Sequence, residues 1–377
     1  MYEDLQLYKD PHFVLFYGAV TALAVIASVY LLFRRGNAFA PEVTPPLRLR
    51  RLVAVFFAFV ALSHVWWWWL VLTVYHPIGG LWQSLIVASG LDCLTVMPMI
   101  YAILLAMLQD RRRPLWLIAV AMAPVMVILA VFYSRPSDVF VLVLQSYFLL
   151  LSILYIINMV YALKQYGRWL RDNYADLERK EVWQSIMAAF VCLLIFSFYM
   201  SGYSNEAFEY IVQVNDIVLI GLLLWRVETL QRLDPQDDTG CQTVPGEAEM
   251  PIPSMMLSTT ASSIGQLLDQ HCVDAKLYLR HDVRLDDLCK AIGTNRSYLS
   301  QYFNVHNTTY NAYINNLRIQ HFIRLYRKAV ATKRSFTAQQ LARESGFRSY
   351  STFGTAFKQL MGMPVTTWMR EVGKPET

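Results

Sequence analysis

Between Phe13 and Trp225 the chain runs through seven apolar stretches separated by short polar connections. They are Phe13–Phe33, Leu52–Tyr75, Trp82–Leu108, Leu115–Tyr133, Val139–Leu163, Trp183–Met200 and Ala207–Trp225. Each is near the roughly 20 residues that a helix needs to cross about 30 Å of hydrocarbon at about 1.5 Å per residue. Hydrocarbon offers no partner to a backbone amide, so only helices or closed barrels can cross it. The two-residue alternation of barrel strands is absent here. Composition agrees: 55% of the residues are hydrophobic and 16% are charged, too apolar a balance for a chain solvated wholly by water.

Charge on the connections orients the bundle. The first, third and fifth connections carry Arg34, Arg35, Arg48, Arg50 and Arg51, then Arg111–Arg113, then Lys164, Arg168, Arg171, Arg179 and Lys180. The opposite side holds little beyond Lys9 and Arg135. The basic connections are therefore expected to face the cytoplasm. An odd number of spans then puts Met1 outside and the C-terminal portion inside. Ala38-Phe39-Ala40 imitates a signal cleavage site, but Glu3, Asp4 and Asp10 outweigh Lys9 where a signal needs positive charge. The first stretch reads as a retained helix.

Ionisable residues inside an apolar span are costly and need partners. His64, Asp92 and Asp216 sit nine to eleven residues from the outer ends of the second, third and seventh stretches, a shared depth of about 15 Å. Two readings stand. The three residues line a cavity open to the outside, or they are interhelical glue that only holds the bundle. Trp66–Trp69 point all round a helix and read as an aromatic belt at the outer interface, with one or two left to wall a ligand site. Pro98 and Pro124 are expected to kink their helices. The seventh stretch contains no lysine for a retinal Schiff base. No HExxH, GxSxG or P-loop pattern occurs, so no catalytic residue is assigned and the chain is not expected to be an enzyme. The five cysteines show no metal-ligand spacing, so neither a metal nor a cofactor is expected.

The character of the chain changes after about Leu230. Asp234, Pro235, Asp237, Asp238, Gly240, Pro245, Gly246, Glu247, Glu249, Pro251 and Pro253 leave no periodic apolar face. Residues 230–262 read as a flexible tether or as a protease-sensitive release point. From Lys276 onward basic residues outnumber acidic ones, which suits nucleic acid or another anionic surface. Leu285, Leu288 and Ile292 make one apolar face, Gly293-Thr294 breaks it, and Asn295 can cap a helix that buries Leu299 and Phe303. The pattern repeats: Leu341, Ala342 and Ser345, then Gly346-Phe347, then Ser349 as cap of a helix with Phe353, Ala356, Phe357 and Leu360 inward. Tyr310–Ala329 between the two predicts a helix about 30 Å long, close to the ~34 Å turn of B-DNA. The expected fold class is all-α. A polytopic bundle of about seven transmembrane helices (1–229) precedes the tether (230–262) and a soluble helical domain with two helix-turn-helix motifs (263–377).

Leu285–Phe303, LDDLCKAIGTNRSYLSQYF, resembles the first motif of the AraC/XylS family of bacterial regulators. Tyr313-Ile314 with Leu317-Arg318-Ile319 resembles the linker helix of that family. Gln340–Phe347, with Ser351, Phe353, Phe357-Lys358, Gly362 and Pro364, resembles its second motif and signature. The membrane portion is similar, in span count and order alone, to the seven-span sensor halves of some bacterial one-component regulators. Departures from the family pattern are Asn307 near a usual glycine, Phe322 at a usual alanine, and Cys289 and Asn295 for Ala and Ser.

The resemblance implies DNA contacts from Arg296, Ser297, Ser300 and Gln301 on the first recognition helix and from Tyr350, Ser351, Thr355 and Lys358 on the second. Arg348 and Arg318 are expected to add charge. It implies double-stranded promoter DNA as partner, a small-molecule or membrane signal read by the bundle, and RNA polymerase and a second copy of the chain as further partners. The implied location is the bacterial cytoplasmic (inner) membrane, multi-pass, with the lipid bilayer around the bundle and the C-terminal domain in the cytoplasm. The rival expectations are a membrane enzyme or transporter carrying a regulatory DNA-binding tail, and a bundle that serves only as an anchor.

Overall fold

The structure, a computed structural model, describes residues 10–372 apart from 35, 42, 75–80, 112, 136, 179, 201–205 and 234–262. Most of the expected tether lies outside the described residues. The named regular elements are all helical. By their contacts the residues divide into two units: Met1–Tyr166 with Val182–Asp234, and Gly167–Glu181 with Pro235–Thr377.

The first unit is built from α1 (Pro11–Phe33), α2 (Leu47–Val74), α3 (Leu81–Met107), α4 (Trp116–Ser134), most of α5 (Asp138–Asn173), α6 (Trp183–Met200) and α7 (Glu206–Thr229). Asp10 starts α1 by accepting from His12 N at 3.1 Å, and Pro11 occupies the first turn, where its missing N–H costs nothing. Among the described residues, six helices, α1–α5 and α7, contain segments long and apolar enough to cross a membrane. The seventh expected span, α6, is an apolar helix of 18 residues over Trp183–Met200. α5 continues past the expected end at Leu163 to Asn173, because Lys164–Asp172 holds no proline and the one glycine, Gly167, costs only about 1 kcal/mol.

α2 is the hub of this unit, packing against α1, α3 and α7, while α4 lies on α3 and α6 on α7. Close approach uses small residues: a Cβ on Gly90 of α3 would fall 2.6 Å from the Leu129 methyls of α4. α5 is tied by aromatic groups, with Tyr101 stacked on Tyr155 and donating to Asn158, and Tyr147 donating to Ala121 O. Leu15, Ile26, Val120, Val127, Leu142 and Ile157 are exposed on α1, α4 and α5. Such apolar outer faces are suited to lipid rather than water. At one end, Glu228 of α7 is fully buried and accepts from the backbone of Ala38 and Phe39 and from Tyr30 Oη. Leu230 and Leu233 are buried as well, Arg232 N donates to Thr44 O, and Leu233 N donates to Gln109 Oε1. The first residues assigned to the tether are thus fixed to the first unit.

The second unit begins with α8 (263–268), which widens into a π turn over Asp269–Asp274 and a short 3-10 turn over Leu277–Leu279. Then follow α9 (Leu285–Ile292), α10 (Arg296–Val305), α11 (Tyr310–Ala331), α12 (Ala338–Glu344), α13 (Tyr350–Met361) and α14 (Val365–Val372). The starts of α10 to α13 are capped by side chains: Asn295, Thr309, Thr337 and Ser349 accept from the N–H of Tyr298, Ala312, Gln340 and Thr352. Each such cap is worth about 1 kcal/mol. Gly293 and Gly362 end α9 and α13 in the left-handed conformation. Asn307 is left-handed too, at φ 50°, so the asparagine fills the role of the family's glycine.

Two cores form. The first joins Leu285, Leu288, Ile292, Leu299, Phe303 and Ile314. The second joins Phe322, Leu341, Phe347, Phe353, Phe357 and Trp368. Phe322, the departure from alanine, is fully buried with its ring 4.5 Å from that of Phe353 and 5.9 Å from that of Phe357. Leu360 is a correction: expected inward, it is 45% exposed. The second core closes over Phe357 and Met361 instead, with Trp368 beneath Phe357.

Candidate nucleic-acid interface

α9–α10 and α12–α13 each pair two short helices across a turn, and α11 joins the pairs. At 22 residues, α11 is about 33 Å long at about 1.5 Å per residue. That length suits two recognition helices in successive major grooves on one face of a duplex.

α13 presents its polar side outward because Phe353, Ala356 and Phe357 hold the other side in the core. Tyr350, Ser351, Thr355 and Lys358 are exposed, as is Arg348 just before the helix. The first four, with Gly354 and Gln359, line an open concavity of about 710 Å³. Gln359 and Gly354 were missed from the sequence. Gln359 sits four residues after Thr355, one turn on along the same face, and that spacing was a usable signal. A glutamine can bond an adenine edge bidentately. Gly354 carries no side chain, and a Cβ built there meets nothing within 4 Å, so it leaves the surface open.

α10 is more covered. Ser297 is exposed, whereas Arg296, Ser300 and Gln301 are half-buried. Arg296 Nη1 lies 3.7 Å from Asp286 Oδ1, so part of its charge is already answered. Arg318 is a second correction. Expected to add charge for DNA, it is 1% exposed. Its Nε donates to Tyr278 O at 2.8 Å and its Nη2 to Arg280 O at 2.7 Å, and its Cζ is 5.6 Å from the centre of the Phe347 ring. Burial pushes its pKa down to about 10. Its work is to join the segment before the first motif to the second core. His281 Nδ1 supports the same joint by donating to Gly346 O at 3.0 Å.

In the first unit, His64 Nδ1 donates to Val60 O at 2.8 Å, and Nε2 lies 3.1 Å from Gln213 Oε1 and 3.9 Å from Asp216 Oδ2. Asp92 accepts from Ser63 Oγ and from Trp67 Nε1, both at 2.6 Å. α2 therefore holds both carboxylates, Asp216 through His64 and Asp92 through Ser63 and Trp67. Trp67 faces this cluster, while Trp69 is exposed, so the tryptophan run divides between a polar core contact and the outer surface. Gln213 was not singled out in the sequence, because an amide gives a weaker burial signal than a carboxylate.

The fold and the exposed face of α13 define a helix-turn-helix DNA-binding unit. Residues 288–371 match the profile of a family described as a helix-turn-helix domain, so this region is a DNA-binding domain of the AraC type. No curated protein and no solved structure matches the chain. A domain of this type indicates a transcription regulator.

Proposed function

We propose that the chain is a membrane-embedded one-component transcription regulator, binding promoter DNA through α10 and α13 under control of a signal sensed in the first unit. The observation that carries the DNA-binding reading is the open face of α13, where Tyr350, Ser351, Thr355 and Lys358 stand together on a capped helix. The apolar outer faces of α1, α4 and α5 support the inner membrane of a bacterium as its place, with the C-terminal unit in the cytoplasm. A homodimer is the working assembly, and RNA polymerase is the partner at an activated promoter. The polar cluster of His64, Asp92 and Asp216 is the site where the signal acts. Its groups are expensive in hydrocarbon, and the carboxylates of α3 and α7 both meet side chains of α2, the hub against which α1, α3 and α7 pack.

The test is binding of duplex DNA by the full-length protein in nanodiscs across a salt series. Association weakening linearly in log salt supports the reading, since each neutralised phosphate releases a counterion. No retardation of any fragment near its own gene, even at low salt, refutes it. Asp92→Asn with normal membrane insertion tests the signal site, and an unchanged transcriptional response removes Asp92 from it.

A further inference from the structure

The last turns of α5 and the connection toward α6 belong to the second unit over Gly167–Glu181, and this segment is built into that unit rather than laid across it. Asn311, in the first turn of α11, donates from Nδ2 to Tyr174 O at 3.1 Å and to Ala175 O at 2.7 Å. One amide thereby holds two successive carbonyls and fixes the course of the chain. Tyr174 makes an antiparallel bridge with Arg284, whose guanidinium lies 5.7 Å from the centre of the Tyr174 ring. Ala175 is wholly buried in the first core.

This segment touches the second recognition helix and lies within electrostatic reach of the first. Thr352 Oγ1, in the first turn of α13, donates to Glu178 Oε2 at 3.4 Å. Asp172 is within electrostatic reach of Arg296, the first residue of α10. The first turn of a helix carries partial positive charge and favours anions. In a helix-turn-helix, residues near that turn approach the duplex. Glu178 occupies ground at the first turn of α13 that DNA phosphates would otherwise approach, and the charges of Glu178 and Asp172 repel them. Lys180 ties the segment further, donating from Nζ to Asp176 O at 2.7 Å and lying 5.3 Å from the centre of the Tyr174 ring. Lys180 is 6% exposed, and burial pushes its pKa down. Asp176 opposes that shift, while Arg348 and Arg284 reinforce it.

We infer that Gly167–Glu181 is an intramolecular strap that competes with duplex DNA for the N-terminal turns of α10 and α13. This rests on the reading of the second unit as DNA-binding. The strap is the end of α5 and the chain that leads on to α6, so a rearrangement of those helices acts on the DNA-binding surface directly. Coupling then has a route that does not run through residues 234–262.

The experiment measures binding of a random-sequence duplex longer than two helical turns to full-length protein in nanodiscs, at fixed low salt. Asn311→Ala and Glu178→Gln are compared with Glu371→Gln, an exposed change of equal charge on α14. Asn311→Ala and Glu178→Gln should each tighten binding about 5-fold or more, an ordinary size for coupling of this kind, and the control should not. Amide exchange over α9–α14 reports whether each variant is folded. Amide exchange at Tyr174–Glu178 should also rise when wild-type protein is saturated with duplex. Equal or weaker binding by the folded Glu178→Gln protein, or strap amides that stay protected on DNA, overturns the strap. If neither wild type nor variants bind duplex at any salt, the DNA-binding reading fails and the competition falls with it.

Discussion

Arg318→Lys should damage the DNA-binding unit more than Arg318→Met, although lysine keeps the charge. The guanidinium is 1% exposed, with its two hydrogen bonds to Tyr278 O and Arg280 O. Its pKa falls from 12.5 to about 10, so burying the charge costs about 3 kcal/mol at about 1.4 kcal/mol per unit. Lysine retains that cost, brings one nitrogen to two carbonyls, and loses the planar face over Phe347. An orphaned buried carbonyl costs about 1–3 kcal/mol and the lost cation–π contact about 0.5–2 kcal/mol. Arg318→Lys is therefore expected to cost about 2–5 kcal/mol. Methionine orphans both carbonyls, at about 2–6 kcal/mol, replaces the ring contact with a sulfur–aromatic one of about 0.3–1.5 kcal/mol, and removes the charge-burial cost, leaving a net near ~1 kcal/mol. Amide exchange of α9–α13 in the full-length protein reads these values, at about 1.4 kcal/mol per tenfold. Lysine should accelerate exchange about 30-fold or more and methionine about 5-fold. Wild-type exchange in Arg318→Lys, or faster exchange in the methionine variant than in the lysine one, would refute the idea that the guanidinium fork is the joint between the two motifs.

Gly346 sits at φ 93°, and a Cβ there would fall 2.9 Å from Leu279 Cα and from Tyr278 O. Gly346→Ala should cost about 2–5 kcal/mol, combining left-handed strain with backbone overpacking, and amide exchange in α12 and α13 measures it. Lys358→Ala should weaken DNA binding uniformly across sequences and reduce the salt slope by about 0.9, as a titration of binding against salt would show. Burial raises the Cys272 thiol from the usual 9.0 to about 12. Above pH 9 the unfolded chain releases this proton and the folded chain keeps it, so stability falls as pH rises, by about 1.4 kcal/mol per unit. Cys272→Ala should flatten the denaturation midpoint between pH 9 and about 10, and a slope unchanged by the substitution would show that the thiol stays solvated.

α13 offers a face to DNA because it is held from three directions: by its cap at Ser349, by Phe353 and Phe357 in the core, and by Trp368 from α14. None of these groups belongs to the exposed face, yet each fixes where Lys358 and Gln359 stand. α10 lacks the same openness, since Arg296 already faces Asp286. The two motifs are thus unequally exposed.

Local pattern in the sequence determined much of this protein. Long apolar runs fix helices in an apolar solvent. The short alternation of Leu285, Leu288 and Ile292 with a glycine and the Asn295 cap fixes a helix-turn-helix. These signals are legible because periodicity, capping and left-handed turns depend on residues within about one helical turn. The tertiary structure alone decided which charged groups have partners. Arg318 looks like a surface cation in the sequence and is a buried joint, because its acceptors lie 40 and 38 residues away. Leu360 turns outward where the core supplies no neighbour. Residues 174–175 look like loop and are core, because their amide partner is Asn311, 137 and 136 residues away. A contact across such a separation leaves no local period to read. It exists only once the chain has folded, and there it decides whether a charge can reach DNA.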